Sequence, residues 1–266
     1  MAPQPETYRV YAVKYAHHDR PASQNFIGGD PHDESMPLDY YVWAIVGESR
    51  AFVVDSGFDE KTASVRGRSI LNPIDTGLKQ LGIHANEVED VIVTHMHYDH
   101  AGNRDLFPRA RYHIQDREMA YCTGRCMCHT MLRTTFEPDD VKAMVGRVFE
   151  GRVQFHDGVS QLAPGLGLHW VGGHTGGLQV VRVHTERGWV VLASDASHLY
   201  ANMNEARPFP IVYNVADMLE GYGTLHRLAD SPMHVIPGHD PGVLRRFPAH
   251  SRETEGWIAR LDAQPR

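Results

Sequence analysis

The segment Thr94-His95-Met96-His97-Tyr98-Asp99-His100-Ala101-Gly102 follows the apolar run Val91-Ile92-Val93, so three imidazoles and a carboxylate leave the end of one strand together. On an extended chain side chains alternate, which puts His95 and His97 on one face. The turn at Asp99-His100-Ala101-Gly102 brings a carboxylate and another imidazole round to the same point. In a chain with 18 His, the pattern H-x-H-x-D/E-H arises by chance in about one random sequence in a hundred. The spacing therefore predicts a cage for two borderline metal ions. Imidazole and carboxylate without thiolate predict two Zn²⁺ per chain, with Fe, Mn or Co as alternatives. A water shared by two such cations loses its proton near neutral pH and becomes a hydroxide nucleophile, while the cations polarise the carbonyl under attack. Hydrolysis of an ester, thioester, lactone or amide is the expected chemistry.

Residues 95 to 100 alone would leave the ions under-coordinated, so further ligands are expected at later strand-to-loop junctions. His174 lies in Gly172-Gly173-His174-Thr175-Gly176-Gly177, where the glycines permit a tight turn. Asp195 follows Val190-Val191-Leu192 in Ala193-Ser194-Asp195-Ala196-Ser197, and His239 closes Ile236-Pro237-Gly238-His239. Taken singly, each turn is more often structural than a ligand. In this order, from about Tyr8 to His239, they resemble the metallo-β-lactamase superfamily. The resemblance implies that His95, His97 and His174 hold one zinc, that Asp99, His100 and His239 hold the other, and that Asp195 bridges them. It also matches Asp55, closing Val53-Val54-Asp55-Ser56-Gly57, to an early acid that orients a ligand imidazole from behind.

The elements that must position these residues are visible in the pattern. Strands are expected at Tyr8 to Ala16, at Tyr40 to Val46 and Ala51 to Val54 as a hairpin, and at Arg111 to Gln115. A long loop from Gln24 to Leu38, carrying Gly28-Gly29-Asp30-Pro31, is placed to line a site. Helices are expected at Asp75 to Leu81 and Asp139 to Phe149, stopped by Gly82 and Gly151. The second half gives strands near Leu168 to Val171, Gln179 to Val183 and Trp189 to Ala193, an amphipathic helix from Ala216 to Leu228, and a last strand at His234 to Ile236. Grouped strands with helices between them argue an αββα sandwich of two mixed β-sheets packed face to face. One domain spanning 1–266 is expected, since no linker divides the chain.

Bulk composition narrows the partners. The chain has 266 residues, 42% hydrophobic and 22% charged, with net charge −7. This balance offers no electrostatic footprint for nucleic acid, whose binding needs phosphate-neutralising Lys and Arg. No run approaches the roughly 18 apolar residues of a membrane helix, and the N-terminus lacks a secretion signal. A cytoplasmic location, a small-molecule lactone or ester substrate and a possible second copy of the chain as partner are the expectations. The three cysteines, Cys122, Cys126 and Cys128, fall within seven residues and describe no disulfide framework. A separate metal site there lacks a distant second pair of ligands. The stretch is instead expected to follow the strand Arg111 to Gln115 as a loop or helix, giving Met127 and Met131 to a substrate lid. Phe26, Met36, Trp43, Tyr121 and Phe209 are read as core residues. His17, His18, His84, His156 and His226 are read as surface or hydrogen-bonded side chains.

Within the superfamily the chain most resembles the N-acyl homoserine lactonases, quorum-quenching hydrolases of a cyclic ester. The resemblance rests on Asp55-Ser56-Gly57, His97-Tyr98-Asp99-His100-Ala101-Gly102 and Asp195-Ala196-Ser197. The commonest class B β-lactamases use a cysteine ligand and replace the last His of the run, whereas here His100 is present and every cysteine precedes His174. Glyoxalase II proteins continue with helices after the last ligand, where here a short tail follows His239. The diiron redox branch replaces a ligand His by an acid and fuses a flavin domain, neither of which is present. Another ester, a thioester or a β-lactam on the same centre remains the alternative substrate. Asp99 or Asp195 is also expected to act catalytically on the proton, since ring opening needs an acid for the departing alkoxide and a metal-bound carboxylate is within reach. Those lactonases place a Tyr three residues after the bridging Asp, as oxyanion donor. This chain has His198 there, with Tyr200 two residues further on.

Overall fold

The computed structural model describes residues 5–266. Thirteen strands are found among them: β1 (Arg9–His18), β2 (Leu38–Val46), β3 (Ala51–Val54), β4 (Ser69–Ile70), β5 (Asp90–Ile92), β6 (Arg111–Gln115), β7 (Val153–His156), β8 (Val159–Ala163), β9 (Leu166–Trp170), β10 (Gln179–Thr185), β11 (Gly188–Ser194), β12 (Val235–Pro237) and β13 (Ile258–Arg260). They form two mixed sheets. The first has the order β13-β1-β2-β3-β5-β6-β7 with β4 added to β1, and the second the order β12-β11-β10-β9-β8. β3, β5, β6 and β7 run parallel, so their C-terminal ends share one edge. β11 and β12 are parallel in the second sheet.

Alternation along the strands sorts the interior into two cores. Tyr41, Trp43 and Ile45 of β2 point into the space between the sheets, against Leu168, Val181 and Leu192. Tyr40, Val42 and Ala44 point the other way, into a second core with Leu78, Val91 and Met144. A strand buried on both faces reads as a continuous apolar run, which is what β2 shows. Helices complete the layers. Val215–Leu228 is capped by Asn214, whose Oδ1 accepts from the Ala216 and Asp217 amides, and it buries Met218, Gly221, Tyr222 and Leu225 at helical spacing. Pro138–Phe149 starts on proline and stops before Gly151, and Ile74–Gln80 stops before Gly82, both glycines having positive φ.

The αββα sandwich and its main helices match the sequence expectation. Three corrections apply. The strand expected at residues 234 to 236 forms as β12 but is not the last, because Ile258–Arg260 returns to pair with β1 on its outer edge. β4 and the two edge strands β7 and β8, one in each sheet, had no sequence signal either. They are short segments that become strands through their neighbours, and edge pairing requires no strong pattern of its own. None of the helices among the described residues is long and apolar enough to cross a membrane.

Candidate metal centre

The ligand-bearing turns all open at one edge of the sandwich. His95, His97, Asp99 and His100 leave the first sheet after β5, while His174, Asp195 and His239 follow β9, β11 and β12 of the second. The seven converge. One group brings together His95, His97, His174 and Asp195, and another Asp99, His100 and His239, each with its ligand atoms within 4.8 Å of one another. His174 Nε2 lies 2.9 Å from His97 Nδ1 and 3.2 Å from His95 Nε2. Asp195 Oδ2 is 3.2 Å from His174 Nε2, while Asp195 Oδ1 is 2.9 Å from His239 Nε2 and 3.3 Å from His100 Nε2. The two oxygens of one carboxylate therefore face the two groups, which is the arrangement of a bridge.

Outer contacts fix the tautomers. His100 Nδ1 donates to Asp55 Oδ2 at 2.7 Å, His174 Nδ1 to the Ile211 carbonyl at 2.7 Å, and His239 Nδ1 to the Asp39 carbonyl at 2.9 Å. With Nδ1 donating outward, each ring turns Nε2 inward, where in the neutral form its lone pair is free for an ion. Imidazole nitrogens about 3 Å apart that bring only lone pairs repel unless a cation lies between them. His100 Nε2 and Asp195 Oδ1 are also buried without a hydrogen-bond partner among the described residues. Native proteins seldom leave such groups orphaned. The donor set thus fits two divalent cations.

Charge is divided unevenly within the cage. Burial, together with the neighbouring imidazoles, holds His95 and His97 well below the usual imidazole range. Burial also opposes charge on His100 and Asp195. The carboxylates Asp195, Asp99 and Asp55 nevertheless hold His100 well above its usual value, and His239, His100 and His198 hold Asp195 well below its own. Such mutual perturbation of clustered groups marks functional sites.

Asp55 sits at the end of β3 with φ 64, a left-handed conformation that Asp tolerates. There its carboxylate accepts from the Thr94 amide at 2.8 Å and the Thr94 hydroxyl at 2.9 Å while holding His100. Thr94 Oγ1 in turn lies 2.9 Å from Ser194 Oγ, joining the two sheets directly behind the cage. Gly238 is required here, since a Cβ on it would stand 2.6 Å from the Ser194 carbonyl and 2.8 Å from Asp195 Oδ1.

Sequence reasoning missed Glu118. Its fully buried carboxylate accepts from the Met96 amide at 2.8 Å, the Thr175 hydroxyl at 2.6 Å and the Gly177 amide at 3.0 Å, so it clips the His95–His97 turn to the His174 turn. A lone Glu in Asp116–Cys122 carries no motif, and only its burial reveals the role. Asp39 was missed as well. Its backbone brackets His239, and its carboxylate pairs with the Lys14 ammonium at 2.7 Å and accepts from His17 Nδ1 at 2.6 Å.

The structure separates the two sequence candidates for the oxyanion donor. His198 Nε2 reaches Asp195 Oδ2 at 2.8 Å, and its ring stacks on Phe209 at 3.5 Å. Burial pushes its imidazole down to about 3. Tyr200 turns instead into the inter-sheet core, under the Arg246 guanidinium. Phe209 is thus a wall of the site as well as a core residue. The segment that carries it receives the long loop between β1 and β2, where the Ile27 amide donates to Pro208 and the Asn25 carbonyl accepts from Asn202. Beyond the cysteine-bearing stretch, Phe136 packs edge-on to His97 at 4.6 Å. Met131 is 81% exposed, and Met127 packs against the helix-side core. Among the described residues, the metal-capable groups include none of the three cysteines.

A sandwich that closes two clusters of imidazole and carboxylate with a shared carboxylate between them defines a metallohydrolase with a dinuclear metal site. Residues 36–239 match the family model of the metallo-beta-lactamase superfamily, and the chain belongs to that superfamily. An N-acyl homoserine lactonase of Bacillus cereus is 28% identical over 137 residues, covering 51% of this chain and 49% of that protein. The chain thus aligns with about half the length of that curated relative. A quorum-quenching N-acyl homoserine lactone lactonase of known structure superposes with TM-score 0.71 at 20% identity, over 90% of this chain and 94% of its own. A dizinc quorum-quenching lactonase superposes with TM-score 0.70 at 14% identity, over 89% of each chain.

Proposed function

We propose that the chain is a dinuclear zinc hydrolase that opens a small lactone, in the manner of the N-acyl homoserine lactonases to which it is similar. The observation that carries this reading is the bridging geometry of Asp195, one oxygen toward each ligand group, together with the presence of His100 and the absence of a cysteine ligand. With two divalent cations bound by the seven side chains, the centre acidifies water and polarises a carbonyl oxygen.

The chain's own residues then have distinct tasks. Asp99 is the most solvent-facing of the seven, its side chain 10% exposed while those of His95, His100, His174, Asp195 and His239 are at most 4% exposed. Asp99 is therefore the carboxylate placed to carry a proton to the departing alkoxide. His198 holds the bridging carboxylate through Nε2–H, on a ring fixed by Phe209, and so positions Asp195 rather than the substrate. It takes the place of the Tyr found in the lactonases. Phe136 and Phe209, with the half-exposed Ile211 and Tyr213 beyond His174, give the His174 side an apolar wall suited to an acyl chain or ring.

A panel of acyl homoserine lactones, simple lactones, thioesters and β-lactams, assayed with zinc-loaded protein, tests the reading. Lactones are expected to be opened, and a chelator to stop the reaction. Turnover of thioesters or β-lactams with no lactone opened would overturn it.

A further inference from the structure

The edge that carries the cage also carries a group of cations the proposed reaction leaves unused. β1 is antiparallel to β2, so its last residue, His18, reaches the same edge as Asp39 and Tyr40 at the start of β2, and Arg20 follows directly. Arg68 precedes β4, which pairs with the same end of β1. From the cage outward the contacts are continuous. The Tyr40 ring packs edge-on to His239 at 5.1 Å, the Tyr40 and Tyr98 hydroxyls meet at 3.3 Å, and Arg68 Nε donates to Tyr98 Oη at 3.3 Å.

Arg68 Nη1 donates to His18 Nε2 at 3.2 Å, which leaves the ring proton on Nδ1. His18 Nδ1 is buried with no partner among the described residues, and so is Arg20 Nε. Neither guanidinium lies within 4.0 Å of a carboxylate among the described residues, whereas the neighbouring Arg66 is paired with Glu137 at 2.6 Å. Burial and then the charges of Arg68 and Arg20 push His18 down to about 4. In a protein of net charge −7, two half-buried guanidiniums without a counter-ion, beside two orphaned donors, are out of balance.

We infer that Arg20, Arg68 and His18 form a receptor for a carboxylate on the substrate, placed beyond the Asp99 and His239 side of the metal centre. Arg68 Nε and Nη1 are engaged by Tyr98, His18 and the Arg66 carbonyl, and Arg20 Nη2 by the Gln24 carbonyl, so Arg68 Nη2, Arg20 Nε and His18 Nδ1–H are the donors left for a carboxylate, beside two positive charges. The inference rests on the proposed hydrolase reading and adds to it. The substrate carries an anion on the His239 side and an apolar portion on the His174 side, which sets it apart from a neutral acyl lactone.

Two measurements test this. The first compares kcat/KM for a γ-lactone bearing a side-chain carboxylate with that for its neutral carboxamide. The acid is expected to be preferred by about ten- to hundredfold, mainly through KM, and Arg68→Gln or Arg20→Gln to shrink the preference to within about threefold. The second is calorimetric titration of the metal-loaded protein with glutarate. Its Kd is expected to rise at least about tenfold in Arg68→Gln and Arg20→Gln, and to stay within a few fold in Arg68→Lys. Equal turnover of acid and carboxamide by the native chain overturns the inference, as does glutarate affinity indifferent to either substitution. If no lactone is opened, the hydrolase reading falls and the glutarate titration alone decides whether the receptor exists.

Discussion

Asp55→Asn isolates one hydrogen bond behind the cage. Asn tolerates the left-handed backbone of residue 55 and matches Asp in volume, so the turn and the packing are retained. What changes is the donor count. The side-chain oxygen can still accept from Thr94, but the new amide group faces His100 Nδ1, now 2.7 Å from a carboxylate oxygen. A donor there forces the His100 proton from Nδ1 to Nε2, the atom that points at Asp195 and Asp99, and the lone pair meant for the ion is lost. Orienting partners of this kind are worth about 10- to 100-fold in metal affinity. At 1.4 kcal/mol per decade that is about 1.4 to 2.8 kcal/mol, in agreement with the ~1.5 to 3 kcal/mol of a charge-assisted hydrogen bond. The assay is stepwise competition of the zinc-loaded protein against a chromophoric chelator, with mass-spectrometric metal counts after each step. One ion is expected to weaken by about 10- to 100-fold while the ion of His95, His97 and His174 stays within about threefold. Native affinity at both positions, or equal loss at both, refutes the assignment of Asp55 to one half of the centre.

Four further outcomes are expected. Glu118→Gln keeps one acceptor oxygen but turns an amide donor against at least one of the three donors at a fully buried position, and calorimetric unfolding should show a loss of about 1 to 3 kcal/mol together with reduced metal occupancy. His198→Asn should lower lactone turnover about 10- to 100-fold with two metals still bound, and native turnover would strip His198 of its role. Burial, with His113 beside it, pushes His156 from 6.5 down to about 4, so between those values the unfolded chain holds a proton that the folded chain does not. The associated stability is complete above pH 6.5 and is lost as pH falls to about 4. His156→Gln should flatten that fall in melting temperature. Chelation should lower the melting temperature and zinc should restore it, because a cage drawn from distant parts of the chain binds metal only when folded.

The seven cage residues could be found from sequence because metal chemistry restricts residue type and because each stands at the end of an apolar run. Asp55 came from the resemblance to the superfamily, which implies an acid at that strand end. Glu118 and Asp39 did not, since one acts through three local hydrogen bonds and the other largely through its backbone, and neither leaves a spacing to detect. The inward and outward faces of β2 were equally hidden, because a strand buried on both sides loses the alternation that assigns them. Phe209 read as a core residue until the fold placed His198 against it, and Phe136 carried no signal at all before His97 was seen beside it. β13 became a strand only because the exposed edge of β1 was available to it.

Four of the cage residues hang from one layer and three from the other, and the Thr94–Ser194 hydroxyl contact pins the layers just behind them. The mouth of the sandwich therefore works as a caliper whose gap is set by the thickness of the interior. Trp43, Leu168 and Leu192 touch no ion, yet they decide how far apart the two jaws stand. The spacing of the two ligand groups is in this sense a property of remote packing.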